Sequence, residues 1–480
     1  MKIKKLIANL LINVVSGSKE LEIKGICSHS KYIAPKDLFI AKSPDYIEEA
    51  ITSGATAILT DMHNPFLKKE IVQLITKDVA AMEAELASRF FEDPSSKLYC
   101  VGITGTNGKT TTGFLIKHLL DKLGCLCGKI GTIEYIIGNF HFEADLTTPD
   151  VITCNKLLSE MVKHKCEAVV MEASSHGLVQ GRVKGIKFDA AIFTNLTQDH
   201  LDYHKTLEEY AEAKSILFSN LSESAVAIIN EESFWSAKMI EKCKAKIFSY
   251  GFSTDADLFA HQITLYPDHT EFSVTYNEET LLFTWNVAGR FNVLNALAAI
   301  SLCLSKGYDF KKLPPLFLTF PQVPGRLERV ENSLGLNVYI DFAHTPDALE
   351  CVLGSLREFC SGKLLVVFGA GGNRDKLKRP KMGAAVDRFA SFAFITSDNP
   401  RSEDPFTICE EISSGFSSKH YLIETDRKKA IECAVKMANR DDLILIAGKG
   451  HEPYQTFSHQ TIPFDDRQVA YEIISEVRCR

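Results

Sequence analysis

Residues 105–111 read Gly105-Thr106-Asn107-Gly108-Lys109-Thr110-Thr111. An apolar run at residues 98–103 predicts a buried strand before them, and the apolar spacing at residues 112–120 predicts a helix after them. Such a strand, glycine-rich turn and helix hold phosphate through backbone N–H groups, a lysine charge and a hydroxyl that reaches Mg²⁺. The match to Walker A is incomplete, because its first glycine would fall on Ile103. A plain connecting turn is the alternative, but the Gly-Lys-Thr-Thr ending favours phosphate binding.

The length and composition are those of a multidomain globular protein. The chain has 480 residues, 45% hydrophobic and 24% charged, which predicts about three domains. Its net charge of −7 argues against a general nucleic-acid binder. The 13 cysteines are scattered without a C-x-x-C pair, which is typical of free thiols in a reducing compartment. We therefore expect a cytoplasmic protein.

The N-terminal segment has two interpretations. Basic residues precede an apolar stretch at residues 6–15, and this order resembles a signal peptide. On a helical projection, however, Asn9 and Asn13 share one face and Leu6, Leu10 and Val14 lie on another. We therefore predict an amphipathic first helix. No apolar run approaches ~20 residues, so we expect no membrane span and no membrane partner.

Proline- and glycine-rich segments divide the chain into three α/β units. In the middle unit, strand-like segments such as residues 168–172 alternate with helical ones, which predicts a largely parallel sheet with helices on both faces. Residues 321–326 predict a hinge before a third unit of Rossmann-like pattern. The predicted domains are residues 1–96, 97–324 and 325–480.

Polar residues follow the predicted strands of the middle unit. Glu172 ends one strand, where a carboxylate can hold Mg²⁺ near phosphates, although a capping or solvated glutamate is the alternative. His200 and His204 have the i,i+4 spacing of half a zinc site. The string is not H-E-x-x-H and no third ligand is evident, so zinc is not expected.

Several longer strings resemble the Mur ligases, which are ATP-dependent amide-bond-forming enzymes of bacterial cell-wall synthesis. Besides the phosphate loop, the similarity is carried by residues 146–149, 171–183, 193–196, 199–204, 210–214, 341–349, 398–401 and 448–452. It extends along nearly the whole chain. The resemblance is strongest to the members that add meso-diaminopimelate to UDP-N-acetylmuramoyl-L-alanyl-D-glutamate. It implies a central ATPase domain, flanked by an N-terminal uridine-binding domain and a C-terminal amino-acid-binding domain.

The resemblance also implies the substrates and the site residues. ATP and Mg²⁺ would be required, the partners would be small molecules, and we expect a monomer. The implied catalytic residues are Lys109, Glu172, His200 and Lys214; Lys214 would be carbamylated and would bind metal with Thr110, Glu172 and His200. ATP would contact Gly105, Thr106, Asn107, Gly108, Lys109, Thr110, Thr111, Asn292, Asn295, Arg326 and Asp341. The UDP substrate would contact Ser30, Thr147, Thr148, Ser174, Gln180 and Arg182. Diaminopimelate would contact Arg374, Asp398, Asn399, Pro400, Arg401, Gly448 and Glu452.

Alternatives remain for several of these residues. Asn292 and Asn295 fit helix capping as well as adenine contact, and Lys214 fits the surface of an amphipathic helix. Arg401 fits a solvated loop arginine paired with Glu403 or Asp404. The first domain departs from the family, which has Asp-Ser-Arg where this chain has His-Ser-Lys at residues 29–31. A lysine-adding ligase, a folylpolyglutamate-synthase-like ligase and an inactive nucleotide-gated binding protein are the rival functions.

Overall fold

Three β-sheets organise the computed structural model of this chain, which describes residues 1–478 and the side chains of residues 1–476. Each sheet is built from one continuous part of the chain, with strands between residues 13 and 75, 99 and 285, and 328 and 447. This is the predicted three-part α/β architecture. The residue at which each domain begins remains a prediction. Within residues 1–478, no helix has the length and apolar character needed to cross a membrane.

The N-terminal unit is a five-stranded sheet in the order β1-β5-β4-β3-β2, with β1 antiparallel to β5 and the other pairs parallel. Its strands are β1 Asn13–Ser16, β2 Gly25–Cys27, β3 Asp37–Ile40, β4 Ala57–Thr60 and β5 Val72–Ile75. Its α-helices are α1 Ile3–Leu6, α2 Ile47–Thr52 and α3 Val79–Phe90, and short 3₁₀ helices span Ser30–Tyr32, Pro44–Tyr46 and Pro94–Lys97.

The predicted N-terminal amphipathic helix is wrong beyond Leu6. The helix ends after one turn, Asn9 takes a left-handed conformation with φ 59°, and residues 13–16 pair with β5 as an edge strand. Asn tolerates that backbone conformation. Val14 and Val15 are β-branched and fit a pleated strand. Pairing with β5 therefore outweighs the helical pattern.

The middle unit contains an eleven-stranded sheet in the order β16-β15-β14-β13-β12-β11-β6-β10-β7-β8-β9. Its strands are β6 Tyr99–Thr104, β7 Cys127–Ile130, β8 Glu134–Ile137, β9 Phe140–Glu143, β10 Ala168–Glu172, β11 Ala190–Phe193, β12 Val226–Asn230, β13 Lys246–Gly251, β14 Leu258–Leu265, β15 Thr270–Tyr276 and β16 Glu279–Trp285. The run from β14 to β7 is parallel, and antiparallel hairpins extend both ends.

Eight α-helices and a 3₁₀ helix at Phe310–Lys312 flank this sheet in the described part of the chain. The α-helices are α4 Lys109–Lys122, α5 Val151–Lys163, α6 Ser175–Val179, α7 Leu201–His204, α8 Leu207–Ser219, α9 Ser236–Ile240, α10 Arg290–Ser305 and α11 Pro314–Phe317. Alternate residues of β6 point to opposite faces of the sheet. Val101 and Ile103 pack in one core with α4 and α10, and Cys100 packs in the other core with α5 and α8. Burial on both faces explains why this strand reads as a continuous apolar run.

The C-terminal unit contains a six-stranded sheet in the order β17-β18-β22-β19-β20-β21, parallel except for β17. Its strands are β17 Glu328–Arg329, β18 Asn337–Asp341, β19 Leu364–Phe368, β20 Phe392–Ile395, β21 Tyr421–Ile423 and β22 Leu443–Ala447, and a separate hairpin pairs β23 Tyr454–Phe457 with β24 Gln460–Pro463. Its helices are α12 Pro346–Phe359, α13 Lys378–Phe389, α14 Pro405–Ser413, α15 Arg427–Met437 and α16 Asp466–Arg478.

Candidate active site

The phosphate loop joins β6 to α4 and is held in shape by its glycines and its lysine. Gly108 has φ +88°, a conformation that favours glycine, and a Cβ on it would collide with the side chain of Asn295. The ammonium group of Lys109 donates to the carbonyl oxygens of Gly105 and Thr106, both at 2.8 Å. The loop is therefore pre-formed, and its lysine is positioned at the N-terminus of α4, where anions bind.

Glu172 ends β10 directly beside this loop and is fully buried. Its Oε2 accepts hydrogen bonds from the hydroxyls of Thr110 and Thr132, both at 2.9 Å, and its Oε1 accepts from the backbone N–H of Thr132 at 3.1 Å. Burial alone would raise the pKa of Glu172, but nearby positive charges, Lys129 first, lower it below its ordinary value. The carboxylate is therefore ionised, and the alternative of a solvated glutamate is excluded.

His200 and Asp199 lie on the loop before α7. The Nε2 of His200 is 3.4 Å from Oδ2 of Asp199, and the ring of His200 lies edge-on to that of His176 with centroids 4.8 Å apart. Burial lowers the pKa of His200 to about 4, so the imidazole is neutral at pH 7. A neutral imidazole is the form that can donate a lone pair to a cation.

Lys214 is 1% exposed on α8, which excludes the alternative of a surface lysine. Its Nζ donates to the carbonyl oxygen of Gly105 at 2.8 Å and lies 4.3 Å from the centroid of the Tyr210 ring. Burial lowers the pKa of Lys214 well below its ordinary value, and the charge of Lys109 lowers it further. This environment favours the neutral amine that can react with CO₂.

The donor set beside the loop fits Mg²⁺ better than zinc. The Thr110 hydroxyl and the Glu172 carboxylate are hard oxygen donors 2.9 Å apart at the N-terminus of α4. Across residues 1–478, no group of three or more His, Cys, Asp or Glu side chains is arranged to hold a metal. The two oxygen donors suit Mg²⁺, which prefers oxygen ligands, keeps several waters and is held in part by substrate phosphates. His204 is instead buried, with its Nε2 2.9 Å from the Ser175 hydroxyl.

A cavity of about 350 Å³ adjoins the phosphate loop on the β11 side of the sheet. Asn107 and Gly108 line it from the loop, Phe291 and Asn295 from α10, and Asp347 from α12. Asn292 does not line this cavity, but its Oδ1 accepts a hydrogen bond from the side-chain amide of Asn295 at 2.9 Å. Neither asparagine is the N-cap of α10, since that position is Gly289. A cavity of this size with apolar and amide walls suits a nucleoside.

Arg326 and Asp341 lie where the linker enters the C-terminal unit. A guanidinium nitrogen of Arg326 is 3.4 Å from the Thr110 hydroxyl, and its carbon lies 4.6 Å from the centroid of the Phe342 ring. The carboxylate of Asp341 accepts from the backbone N–H of Leu327 at 2.7 Å and of Ala343 at 2.8 Å. Arg326 therefore points toward the phosphate end of the site, while Asp341 holds the linker in place.

Five of the six residues predicted to bind the UDP substrate form one network behind Glu172. The hydroxyl of Thr148 donates to the backbone oxygen of Glu172 at 2.7 Å and lies 3.1 Å from the hydroxyl of Ser174. The other contacts are Thr132 Oγ1 to Thr147 Oγ1 (3.1 Å), Arg182 Nη1 to Thr148 O (2.8 Å) and Arg182 Nη2 to Gln180 Oε1 (2.7 Å). The sixth, Ser30, is buried in the N-terminal unit.

A second cavity, of about 340 Å³, lies between the middle and C-terminal units. His176, Asp199 and His200 line one side. The opposite side carries six of the seven residues predicted to bind the amino acid, namely Arg374, Asp398, Asn399, Arg401, Gly448 and Glu452. His200, a predicted metal ligand, and the residues predicted to bind the amino acid therefore line the same cavity.

The turn at residues 398–401 is fixed by hydrogen bonds from several directions. Asn399 donates its side-chain amide to Glu452 at 2.8 Å, and Glu452 also forms a 3.3 Å ion pair with the buried Lys449. The backbone N–H of Arg401 donates to the carbonyl oxygen of Thr456 at 3.0 Å, and Arg401 has φ +53°. The turn is thus held rigidly at the mouth of the interdomain cavity.

Arg401 does not pair with Glu403 or Asp404, which was the alternative interpretation. Its Nη1 donates to the carbonyl oxygen of Gly372 at 2.6 Å. Glu403 instead accepts two 3.0 Å hydrogen bonds from the buried Arg379, and Asp404 caps α14. Arg401 therefore retains donors for a ligand in the cavity.

Lys129 is the main site residue that the sequence analysis missed. It is fully buried in β7, and its Nζ lies 3.3 Å from Oε1 of Glu172. A lysine inside the apolar string at residues 127–130 was the available signal, since a buried charge requires a partner. His176 and Asp199 were also missed as cavity residues, and they carried no comparable signal.

The chain is similar to known proteins along its whole length. Residues 103–303 match the Mur ligase middle domain, and residues 325–450 match the Mur ligase, glutamate ligase domain. The UDP-N-acetylmuramoyl-L-alanyl-D-glutamate–2,6-diaminopimelate ligase of Chlamydia pneumoniae is 43% identical over 485 residues, with 99% of each chain covered. A solved structure of a ligase of the same name has a TM-score of 0.72 at 30% identity, covering 100% of this chain and 99% of that one.

A more distant solved structure shares the fold. The MurF ligase of Thermotoga maritima in complex with ADP has a TM-score of 0.64 at 19% identity, covering 96% of this chain and 98% of that one. The full-length identity to the Chlamydia pneumoniae ligase and the two matched domains agree with the three-sheet architecture and with the phosphate loop. The chain belongs to the Mur ligase family.

Proposed function

We propose that the chain catalyses ATP-dependent amide-bond formation between UDP-N-acetylmuramoyl-L-alanyl-D-glutamate and meso-2,6-diaminopimelate, a step in peptidoglycan precursor synthesis. ATP would phosphorylate the side-chain carboxylate of D-glutamate. An amine of diaminopimelate would then attack the acyl phosphate, the new C–N bond would form and phosphate would leave. The products would be ADP, phosphate and the extended UDP-linked peptide.

The observation that carries the proposal is the interdomain cavity. It lies between the loop that carries Asp199 and His200 and the C-terminal residues Arg374, Arg401 and Glu452. A ligase of this kind has to bring an acyl phosphate and an amine together, and holding two reactants in one geometry supplies much of the rate. The cavity provides such a meeting place next to a phosphate loop.

The phosphate loop would bind the triphosphate of ATP. Lys109 would turn from the carbonyl oxygens of its own loop to the β- and γ-phosphates, and Thr111 would contribute at the first turn of α4. The cavity beside Gly108 and Asn295 would take the adenosine. Arg326, which already points at Thr110, would add positive charge where negative charge builds up during phosphoryl transfer.

Thr110 and Glu172 would hold Mg²⁺ together with phosphate oxygens and water, and His200 and a carbamate on Lys214 would complete the protein's share. When bound, the ion would neutralise phosphate charge during transfer. Carbamylation would turn the buried amine of Lys214, whose protonated form would repel the ion, into a negative ligand. Lys214 has the burial and the proximity to Gly105 that this role requires.

The two remaining substrates would bind on opposite sides of this centre. The network of Thr148, Ser174 and Arg182 would hold the muramoyl peptide, and Ser30 would meet the uridine. In the interdomain cavity, Arg374 and Arg401 would bind the distal carboxylate of diaminopimelate, and Glu452 would meet an ammonium group. Arginine offers a planar, two-donor match to a carboxylate that lysine cannot reproduce.

An amino-acid screen tests this proposal. The protein is supplied with ATP, Mg²⁺ and the muramoyl dipeptide, and with meso-diaminopimelate, L-lysine or L-ornithine in separate reactions. We expect product with meso-diaminopimelate by mass spectrometry. Faster product formation with L-lysine would contradict the proposed substrate and would show a lysine-adding ligase instead.

A phosphate-release assay separates a ligase from an inactive binding protein. Release should depend on both the dipeptide and the amino acid. Nucleotide binding without any release would contradict the proposed reaction. We also infer that the protein acts as a monomer in the cytoplasm, where UDP-linked precursors are made, and light scattering of the purified protein tests the monomer.

A further inference from the structure

Lys129 forms a buried ion pair with Glu172, and the proposed reaction gives this lysine no role. Both side chains are 0% exposed, and Nζ of Lys129 lies 3.3 Å from Oε1 of Glu172. β7 runs parallel to β10, with Lys129 beside Val170 and Ile130 beside Met171, so the lysine reaches the carboxylate from the neighbouring strand.

The surroundings of Lys129 hold its ammonium group in place. Nζ lies 4.1 Å from the centroid of the Phe114 ring on α4, a distance at which a cation is attracted to the ring face. A Cβ on Gly131 would lie 2.6 Å from Nζ and 2.8 Å from Cδ of Glu172. The backbone at Gly131 therefore packs against the ion pair and leaves no room for a side chain.

The ammonium group occupies the position of a counter-ion. Its only carboxylate partner within 4 Å in the described chain is Glu172, whose other oxygen faces the Thr110 hydroxyl. Removal of one partner from a buried ion pair is strongly destabilising, because it leaves the other charge buried without compensation. One positive charge is thus already present where the proposed function places a divalent cation.

We propose that Lys129 is a resident counter-cation of Glu172, which stabilises the nucleotide-free protein and weakens the attraction of this carboxylate for a divalent cation. The inference rests on the proposed role of Glu172 as a metal ligand. Lys129 is a positioning residue and not a catalytic one, since its charge acts on the carboxylate of Glu172. Its charge keeps the site from binding divalent cations tightly before the nucleotide arrives, and phosphate oxygens then supply the missing negative charge.

The test compares three full-length variants with the wild-type protein. Lys129→Met removes the charge and keeps the length of the side chain. The double variant Lys129→Met/Glu172→Gln removes both charges. Lys306→Met is the matched control, because Lys306 also lies 4.1 Å from an aromatic centroid, that of Tyr99, but has no carboxylate within 4 Å in the described chain.

The first measurement is the thermal unfolding midpoint without nucleotide, titrated with MgCl₂ against KCl of equal ionic strength. We expect Lys129→Met to be less stable than the wild-type protein and to regain stability with Mg²⁺. The double variant should be more stable than Lys129→Met and insensitive to Mg²⁺. A double variant as unstable as Lys129→Met, or unable to fold, would overturn the proposal, because the loss would then come from packing.

The second measurement is binding of Mn²⁺ without nucleotide, followed by electron paramagnetic resonance. We expect Lys129→Met to bind Mn²⁺ at least about tenfold more tightly than the wild-type protein, because the variant lacks the positive charge that lies 3.3 Å from Oε1 of Glu172. Lys306→Met should match the wild-type protein. Unchanged Mn²⁺ binding in Lys129→Met would contradict the proposal. Neither measurement depends on turnover. A negative result for Lys129 can therefore be told apart from a negative result in the amino-acid screen, which tests the proposed function.

Discussion

Nζ of Lys214 donates to the carbonyl oxygen of Gly105 at 2.8 Å, and it thereby links α8 to the first residue of the phosphate loop. The ammonium group of Lys109 donates to the same oxygen at 2.8 Å. The partly buried Lys109 and the buried Lys214 thus converge on one carbonyl oxygen. Burial lowers the pKa of both lysines, and the charge of Lys109 lowers the pKa of Lys214 further. A carbamate on Lys214 would remove the charge repulsion between the two side chains.

Lys214→Ala should lose most of its ligase activity while it remains folded. The physical reason is the loss of a negative ligand close to the metal site. Added acetate or formate should restore part of the activity by filling the space of the carbamate. Ligase assays with and without these acids provide the measurement, and circular dichroism reports the fold.

Lys238→Ala is the control for this substitution, since Lys238 is a more exposed lysine that pairs with Glu241 on the surface. It should retain full activity. Full activity in Lys214→Ala would refute the carbamate role.

Lys109→Ala should reduce ATP-dependent ligation at least about a hundredfold, the order seen when a single transition-state charge contact is deleted. The lysine contacts only loop carbonyl oxygens in this structure, so the effect on unfolding should be small. Steady-state kinetics and thermal unfolding are measured in parallel. Lys122→Ala, at the exposed end of the same helix, is the control. Near-normal turnover in a folded Lys109→Ala protein would exclude this loop as the ATP site.

Arg401→Ala should raise the apparent KM for meso-diaminopimelate at least about tenfold, because a desolvated two-donor contact is worth roughly 2–5 kcal/mol. The preference of the enzyme for meso-diaminopimelate over L-lysine should become smaller. The side chain is held by its bond to Gly372, and a Cβ on Gly371 would lie 3.0 Å from its Nη1. The kinetics of both amino acids are compared. Arg440→Ala, an exposed arginine outside the cavity, should change neither value. If Arg401→Ala keeps the original preference, another residue selects the substrate.

Glu403→Gln should destabilise the C-terminal unit near pH 7 and lose this effect in acid. The hydrogen bonds from Arg379 and the backbone of Asn373 lower the pKa of Glu403 from 4.5 to about 2. A carboxylate whose pKa is lower in the folded protein stabilises it fully above the ordinary value, and this stability is lost as the pH falls from 4.5 toward 2. The variant and the wild-type protein should therefore converge as the pH drops.

Urea unfolding at pH 7, 4 and 3 measures this convergence, since most of the loss falls below pH 4. Glu410→Gln, an exposed glutamate on α14, serves as the control and should follow the wild-type protein at every pH. A destabilisation of Glu403→Gln that stays constant between pH 7 and pH 3 would contradict the linkage.

Much of the site was predictable because its motifs are local. The run at residues 98–103 predicted β6, and the helix predicted after it is α4. Glu172 ends the strand that was predicted for residues 168–172, and it lies beside the loop because parallel strands end at the same edge. The N-terminal helix was wrong for a non-local reason, since pairing with β5 decided the conformation of residues 13–16.

The sequence by itself determined the phosphate loop, the three α/β units and the family, because each depends on residues that are neighbours along the chain. The tertiary structure alone decided which distant residues meet. It places Lys129 against Glu172, Asn295 against Gly108, and the loop of His200 across a cavity from Arg401. Such contacts depend on strand order and on how the units pack, and residue spacing along the chain carries no information on either.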